Sequence, residues 1–226
     1  EVIIYDDNST DQSIQIINQY CKRYKNFQLV LNKKKKFISP ALNQIRGVNK
    51  IFSLSKGQII CLMDADDFFL REKLERINLY FMNNNKKITY DFPKSTAKQF
   101  KYVKKKNNKI WPTIFPTSCI SVRKKYFKFF LNHLKPKDLP NLEIDARINI
   151  FYKFYYNEYN FINKKLTIYN YDENSITAKI NKFSKKWWLR RNDAFEYLIY
   201  ILNIRNQNFK YSADYLITKF LSLIFK

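Results

Sequence analysis

Two clusters of acidic residues follow directly on short apolar runs that are rich in β-branched residues. Residues 2–5 lead into Asp6 and Asp7, and residues 58–63 lead into the triplet Asp64-Ala65-Asp66. Two carboxylates on one side of a turn suit a hard divalent cation, which in turn binds phosphate oxygens. The same residue types also form turns and cap helices, so a capped turn is the alternative for each cluster.

Short strands and longer helices alternate in the first third of the chain. This alternation predicts β-α-β units and a mainly parallel sheet, whose ligand crevice lies beyond the C-terminal ends of the strands. Both acidic clusters are at such ends. The pattern predicts strands at residues 2–5, 27–31 and 58–63, and helices at residues 12–24, 40–55 and 70–83.

The hydrophobic pattern is weaker after residue 83. Residues 84–109 are rich in Asn and Lys, so we expect edge strands and loops there. A last pair of strands is expected within residues 161–171, followed by a helical region from Ser184 onward. The remaining predicted elements are a strand at residues 117–122 and helices at residues 123–134 and 139–156.

The composition indicates a folded domain but does not select a partner. A chain of 226 residues with 18% aromatic residues can bury one good core. The formal net charge of +23 would attract nucleic acid, an anionic membrane or phosphate-bearing substrates alike. Heavy use of Lys and Asn beside only 2 Gly also fits an A/T-biased genome, in which case the charge has no functional meaning.

The cysteines and the lone histidine exclude several kinds of catalytic site. Cys21, Cys61 and Cys119 form no CxxC pair, and His133 lacks a His or Cys partner for zinc, so we expect reduced cysteines and a structural histidine. We see no leader and no apolar run near 20 residues, which indicates a cytoplasmic protein. Because the chain begins inside a strand, we also expect it to be truncated at its N-terminus.

Several segments together resemble one family of enzymes. Residues 2–11 and 57–67, with residues 40–44 and the helix at residues 70–79, resemble family 2 of the inverting glycosyltransferases, which have the GT-A fold. Order, spacing and element types agree over about residues 1–175. The resemblance implies a three-layer α/β/α catalytic domain with a mainly parallel sheet. Its expected bounds are residues 1–180, followed by a C-terminal helical extension over residues 181–226.

The resemblance implies roles for both acidic clusters. Asp6 and Asp7 would bind the base and ribose of a nucleotide-sugar donor, for which we expect a UDP-sugar. Asp66 would ligate Mg²⁺ or Mn²⁺, and Asp64 would contact the ribose or the water shell of the metal ion. The ion would neutralise the leaving diphosphate.

The resemblance also implies an acceptor side. An inverting transfer needs a general base, and Asp145 falls on that position, with Glu143 as the substitute. Ile144 departs from the family, which usually has Glu there, and carboxylates that start a helix are the alternative. Thr117 and Ser118 resemble the segment that faces the acceptor, and a core strand is their alternative.

The basic C-terminal region leaves three interpretations open. The cluster from Trp187 to Arg191 suits a diphosphate, an anionic membrane surface or the polar face of an amphipathic helix. A loop at residues 174–177 resembles the family segment that folds over the donor. The resemblance implies transfer of the sugar to a glycan or lipid-linked acceptor in the synthesis of a bacterial surface polysaccharide. The protein would be cytoplasmic, with at most a peripheral contact with the inner face of the membrane.

Two other function classes compete with this interpretation. A basic nucleic-acid-binding module would explain the 42 Lys and Arg residues, but no nucleic-acid motif accompanies them, and acidic clusters repel a phosphate backbone. An inactive relative would explain Ile144 and the absence of the strand and helix that usually open the family domain. Nucleic acid is therefore the less favoured partner.

Overall fold

The computed structural model describes residues 1–33, 37, 39–95, 111–135, 139–170 and 180–225. The loop expected at residues 174–177 lies outside the described residues, and so do residues 96–109 of the segment 84–109 that was expected to form edge strands and loops.

The strands and helices predicted for residues 1–83 are all present, with ends that differ by up to three residues, and the short strand Phe68–Phe69 is an additional element that was not predicted. The strands of the described part are β1 (Val2–Asp6), β2 (Phe27–Leu31), β3 (Ile59–Cys61), β4 (Phe68–Phe69), β5 (Ile88–Ser95), β6 (Ile120–Arg123) and β7 (Phe161–Tyr169). The helices are α1 (Ser13–Arg23), α2 (Pro40–Leu54), α3 (Lys73–Asn83), α4 (Lys124–Leu131), α5 (Ile144–Tyr155), α6 (Lys185–Ile204) and α7 (Ala213–Ile224).

Two predicted elements differ from the structure. The strand expected at residues 117–122 begins with a 3-10 turn, Thr117–Cys119, and only then continues as β6. The pair of strands expected within residues 161–171 is one strand, β7, in the described part of this segment. Both differences lie beside the Asp64 segment, so they bear on the site.

The strands form two hydrogen-bonded sheets. β1 and β2 are parallel, and the other sheet has the order β3-β6-β5-β7-β4. Within it β5 and β7 are parallel, whereas the β3-β6, β5-β6 and β4-β7 pairs are antiparallel. The α/β class is confirmed, with a mixed pairing in the five-stranded sheet.

Helix α2 lies close against β1 because residue 47 is glycine. A Cβ atom at Gly47 would be 2.6 Å from Cδ1 of Tyr5, much closer than two carbon atoms normally approach. Tyr5 precedes Asp6 at the end of β1. The glycine therefore lets α2 support the strand end that bears the first acidic cluster.

The core is largely aromatic, as the composition predicts. The rings of Phe151 and Tyr155 on α5 stack with centroids 5.0 Å apart, and burial of each large ring contributes about 1.5–3 kcal/mol. The structural interpretation of His133 fits its position, with Nδ1 2.8 Å from the Phe129 carbonyl oxygen. The fully buried rings of the core include Tyr90, Tyr152, Tyr197, Phe127, Phe130 and Phe151.

The C-terminal segment is helical, and its helices start at serine caps. The Ser184 hydroxyl accepts the Trp187 N–H at the start of α6, and Ser212 accepts the Tyr215 N–H at the start of α7. α6 packs on α5, and α7 packs on α6. A domain boundary near residue 180 stays a prediction. Among the described residues, no helix has both the length and the apolarity needed to cross a bilayer.

Candidate active site

The Asp64 segment forms a tight turn between β3 and β4. The Asp67 N–H lies 3.3 Å from the Asp64 carbonyl oxygen, which closes the turn. Asp64 is half-buried, Asp66 is exposed, and Asp67 is only 2% exposed. The Asn170 N–H, just after β7, donates to Asp67 Oδ1 across 2.9 Å. The turn therefore presents Asp66 to solvent while Asp67 holds it to the neighbouring strand end.

Thr117 and Ser118 lie beneath this turn. The Ser118 hydroxyl oxygen accepts the Asp64 N–H at 2.8 Å, and the Thr117 hydroxyl bonds to the Asp64 carboxylate. Ser118 has no exposed surface and Thr117 is 7% exposed. The side chain of Ser118 faces the Asp64 turn, and the acceptor-side role of Thr117 and Ser118 stays a prediction.

The predicted base lies in the first turn of α5. Asp145 is half-buried, and its Oδ1 is 2.7 Å from the Ala146 N–H. Gln44 on α2 accepts the Ile144 N–H through Oε1 at 3.2 Å. The start of α5 is thus held by the Asp145 carboxylate and by α2. The contact with the Ala146 N–H is also what the alternative interpretation of Asp145, a carboxylate that starts a helix, predicts.

A buried arginine fixes the chain that leads into α5. Arg147 has no exposed surface, and its guanidinium donates to the carbonyl oxygens of Leu142 at 3.0 Å and Leu139 at 2.6 Å. It also donates to the Leu134 carbonyl oxygen. Because a guanidinium offers five donors in a rigid fork, one side chain can hold a whole loop. The buried Arg147 side chain therefore fixes the conformation of the loop that precedes Asp145.

The C-terminal helix α6 reaches the same place. Arg190 donates from Nε to Glu143 Oε2 across 2.7 Å, and both side chains are half-buried. Glu143 is the residue before α5. From the sequence, Arg190 belonged to a basic cluster with three possible roles. In the structure, its positive charge lies beside Glu143, close to Asp145.

The acidic groups influence one another's ionisation. Burial, followed by the negative charge of Asp145, raises the pKa of Asp64 to about 7, and the hydrogen bond with Thr117 opposes this. Burial and the charge of Glu143 raise the pKa of Asp145 to about 6, against the lowering effect of Arg190. The structure therefore brings the predicted donor and acceptor carboxylates into one electrostatic environment.

Tyr169, at the end of β7, lies within range of all the clustered acids. Burial raises its pKa to about 12, followed by the charges of Asp67, Asp66, Asp145 and Asp64 in that order. From the sequence, residue 169 was expected only to belong to the last strand of the domain. Tyr169 therefore lies near carboxylates from both predicted halves of the site.

The Asp64 turn fits a divalent cation as a partial ligand set. No group of three or more His, Cys, Asp or Glu side chains in the described ranges could hold a metal alone. Asp67 Oδ2 is buried without a hydrogen-bond partner, and burial, followed by neighbouring negative charges, raises the pKa of Asp64. Mg²⁺ sites commonly use one or two carboxylates and complete the shell with substrate phosphates. The residues present suit that arrangement.

Asp6 and Asp7 lie in the other sheet. Asp6 is 6% exposed and its Oδ1 accepts the Ser9 N–H at 2.9 Å, which is the capped turn that the sequence allows as an alternative. Asp7 Oδ1 accepts from Asn32 Nδ2 at 2.5 Å, after β2. Their role in donor binding stays a prediction.

The start of β1 lies beside the start of β3. Glu1 Oε1 accepts the N–H groups of Lys56 at 2.6 Å and Gly57 at 2.7 Å, just before β3. This contact connects the sheet that bears Asp6 to the sheet that bears Asp64.

The chain has recognisable relatives among curated proteins. It is 34% identical over 89 residues to the poly(ribitol-phosphate) beta-glucosyltransferase of Bacillus spizizenii, covering 39% of this chain and 13% of that protein. It is 33% identical over 81 residues to an uncharacterized glycosyltransferase of Mycoplasma pneumoniae, covering 36% of this chain and 25% of that protein. The chain thus matches a quarter or less of the length of either relative.

Solved structures share the fold. TarS residues 1–349 from S. aureus, in complex with UDP-GlcNAc, match all of this chain and 62% of that chain, with a TM-score of 0.60 at 13% identity. A mannosyltransferase from Pyrobaculum calidifontis, in complex with GDP-Man and Mn²⁺, matches with a TM-score of 0.50 at 14% identity and 61% coverage of that chain. These likenesses confirm the GT-A fold.

The family model for glycosyl transferase family 2 matches residues 1–159. That segment runs from β1 through α5 and contains both acidic clusters, Thr117, Ser118 and Asp145. The chain therefore belongs to glycosyl transferase family 2.

Proposed function

We propose that the protein transfers a sugar from a UDP-linked donor to an acceptor hydroxyl, with inversion at the anomeric carbon. The observation that carries the proposal is the proximity of Asp64 and Asp145, since the charge of Asp145 is the largest electrostatic influence on the pKa of Asp64 after burial. A single displacement requires a group that binds the diphosphate on one side of the anomeric carbon and a base on the other side.

The donor side uses the Asp64 turn. Asp66 projects its carboxylate to solvent and would hold Mg²⁺ or Mn²⁺, with Asp64 beside it. When bound, the ion supplies Lewis-acid stabilisation of the departing diphosphate. Asp6 and Asp7 would contact the base and ribose. The UDP and UDP-GlcNAc bound to TarS support the choice of nucleotide by likeness of fold.

The acceptor side uses Asp145. Its carboxylate takes the proton of the acceptor hydroxyl while the oxygen bonds to the anomeric carbon, and the bond from that carbon to the diphosphate breaks. With its pKa raised to about 6, Asp145 is ionised at neutral pH but more basic than an ordinary carboxylate. Glu143 is the weaker candidate because its carboxylate is engaged by Arg190.

The test compares Asp145→Asn with Glu143→Gln in the slow hydrolysis of UDP-sugars, where water replaces the acceptor. Loss of a general base typically costs a factor of about 10²–10⁴ in rate. We expect that loss in Asp145→Asn with Mn²⁺-dependent UDP binding retained, a smaller loss in Glu143→Gln, and a released sugar of inverted configuration by NMR. A wild-type rate in Asp145→Asn, or a retained configuration, would contradict the mechanism.

The proposed setting is synthesis of a bacterial cell-surface polysaccharide, with a glycan or lipid-linked acceptor, in the cytoplasm and in contact with the inner face of the membrane. The name of the B. spizizenii relative, which acts on poly(ribitol-phosphate), supports a surface polymer. Nucleic acid remains the less favoured partner, because the acidic cluster would repel a phosphate backbone in the absence of a metal ion.

Helix α7 supports the membrane contact. Five large apolar residues on it are 53–63% exposed, and their spacing places them on one side of the helix. We call this set the α7 apolar face: Leu216, Ile217, Phe220, Leu223 and Ile224.

Exposed lysines surround the start of α6, and one of them lies near the end of α7. Lys182, Lys185 and Lys186 are exposed around the start of α6, and Lys185 lines a cavity of about 600 Å³ together with Phe225 at the end of α7. An exposed apolar helix face with lysines beside it suits the surface of an anionic bilayer, because the lipid tails accept the apolar residues and the headgroups attract the lysines. A lipid-linked acceptor would be presented on the same surface.

A further inference from the structure

Ser118 connects the Asp64 turn to a buried charge. Its hydroxyl oxygen accepts the Asp64 N–H at 2.8 Å and also bonds to the Asp67 carboxylate. Its carbonyl oxygen accepts a hydrogen bond from Lys73 Nζ at 2.5 Å. One residue without exposed surface therefore contacts the metal-binding turn on one side and an ammonium group on the other.

The ammonium group of Lys73 joins four elements that surround the turn. Besides Ser118, it lies 2.7 Å from Asp91 Oδ1 on β5, 2.5 Å from Thr167 Oγ1 on β7 and 4.0 Å from the ring centroid of Phe69 on β4. Neither Lys73 nor Thr167 has exposed surface, and the Asp91 side chain is 1% exposed. The ammonium group thus has two hydrogen-bond acceptors, the Ser118 carbonyl oxygen and Thr167 Oγ1, and one ion-pair partner, Asp91.

The ion pair is not explained by stability alone. Removing two charges from water is costly, and replacing a buried pair by apolar residues of similar size is often neutral or stabilising. An apolar pair would lack the directed hydrogen bond to the Ser118 carbonyl oxygen. That bond fixes the residue whose hydroxyl sets the position of Asp64 and Asp67.

We propose that Lys73 and Asp91 are positioning residues for the donor-metal turn, acting through Ser118. Thr167 belongs to the same unit because its hydroxyl donates to Asp91 Oδ2 at 2.7 Å while it accepts from Lys73. The inference rests on the proposed function of Asp64 and Asp66. It extends that site to a buried set of residues that touch neither donor nor acceptor.

The test uses the double variant Lys73→Met with Asp91→Leu, measured in the full chain by calorimetric titration of UDP with Mn²⁺ and by thermal unfolding. Loss of an outer partner of a metal ligand typically weakens metal affinity about 10–100-fold. We expect a folded protein with UDP-Mn²⁺ affinity reduced at least about tenfold. Wild-type affinity in this folded variant would overturn the proposal.

Non-additivity separates positioning from a general structural role. Ser118→Ala removes the hydroxyl that bonds to Asp64, so its effect on affinity should not add to that of the double variant if both act through one route. Additive losses would also overturn the proposal. If the double variant does not fold, Thr167→Val replaces it, because this change removes one hydroxyl with little change of shape. A reduced UDP-Mn²⁺ affinity of Thr167→Val would support the proposal, and a wild-type affinity would overturn it.

A second ion pair provides the matched control. Lys87 Nζ lies 2.7 Å from Glu158 Oε1, and in the described part of the chain neither residue forms a hydrogen bond or ion pair with the Asp64 turn. Lys87→Met with Glu158→Leu should change thermal stability and leave UDP-Mn²⁺ affinity unchanged, and a matching loss of affinity would overturn the proposal. If the wild-type chain itself fails to bind UDP with Mn²⁺, the proposed function fails first, which distinguishes the two failures.

Discussion

Arg190 on α6 donates to Glu143 across 2.7 Å, immediately before the helix whose first turn bears Asp145. The residue lies outside the segment 1–159 that the family model matches. The C-terminal helical segment therefore contributes a charge to the candidate active site. Its contribution can be measured through the ionisation of the proposed base.

Replacement of Arg190 by Gln should shift the pH dependence of hydrolysis. The positive charge of Arg190 lowers the pKa of Asp145, so its loss raises that pKa above about 6. A base works only when ionised, and the acidic limb of the rate profile should therefore move to higher pH. The measurement is kcat for UDP-sugar hydrolysis between pH 5 and about 8.5, a range that spans the raised pKa.

Arg190→Lys keeps the charge and should restore most of the wild-type profile. Arg205→Gln, at the end of the same helix, is the matched control because Arg205 is exposed and lies over Tyr155 rather than near Glu143. A fall in kcat at all pH values with an unmoved limb would contradict an electrostatic role for Arg190.

Asp64 should give the protein an unusual dependence of stability on pH. Its pKa is raised from 3.8 to about 7, so the folded state retains a proton that the unfolded chain has already lost. The stability linked to this proton is fully present below about pH 4 and is lost as the pH rises through about 7.

In Asp64→Asn this contribution is absent at every pH. Without metal ions, the melting temperature of the wild-type protein should fall more between pH 5 and about 7.5 than that of Asp64→Asn. Asp145, whose pKa is also raised, contributes in the same direction to both proteins. Equal slopes would show that Asp64 ionises normally.

Gly47→Ala should destabilise the contact of α2 with β1. The added Cβ would be 2.6 Å from the Tyr5 ring, and overpacking costs about 1–3 kcal/mol. The gain of about 1 kcal/mol from replacing glycine in a helix opposes this. We expect a net loss of about 1 kcal/mol in the free energy of unfolding, measured with urea.

Gly57→Ala provides the control, because the nearest atoms to its Cβ would be 3.5 Å away and its φ is not in the left-handed region. Its stability should be unchanged or slightly higher. A Gly47→Ala variant as stable as Gly57→Ala would mean that Tyr5 moves aside without cost.

The α7 apolar face should bind anionic vesicles. Wild-type protein should sediment with phosphatidylglycerol vesicles and not with pure phosphatidylcholine, and replacing Leu216, Phe220 and Leu223 by Ser should abolish this. Each of these side chains is 58–63% exposed, so the changes should leave the fold intact.

The matched control for vesicle binding replaces exposed apolar residues on α3. Leu74, Leu79 and Met82 are 43–73% exposed, and their replacement by Ser should leave binding unchanged. A wild-type protein that dimerises through α7 without lipid would contradict the membrane contact and indicate a second copy instead.

The sequence predicted the strands that end at the acidic clusters better than the elements that support them. β1 and β3 could be located because apolar runs stop at Asp6 and Asp64, where turn formers make the boundary sharp. The 3-10 turn at Thr117–Cys119 was not predicted. Its alternation of small polar residues looks like a strand, and only the contact of Ser118 with Asp64 explains the turn.

Long-range charge contacts could not be predicted from spacing. Arg190 and Glu143 are 47 residues apart, and a lysine such as Lys73 on an amphipathic helix normally faces solvent. Lys73 is buried only because Asp91, Thr167 and the Ser118 carbonyl oxygen meet there, and those residues come from separate segments. Tertiary structure decides such cases, not local pattern.

The most direct measurement of the proposed function is calorimetric titration of UDP into the chain with and without Mn²⁺, for wild type, Asp66→Ala and Glu75→Ala. Glu75 is an exposed carboxylate in the first turn of α3 and serves as the control. We predict binding that requires Mn²⁺ in wild type and Glu75→Ala and is lost in Asp66→Ala. Binding that persists in Asp66→Ala, or wild-type protein that binds no UDP under either condition, would contradict the proposed donor site.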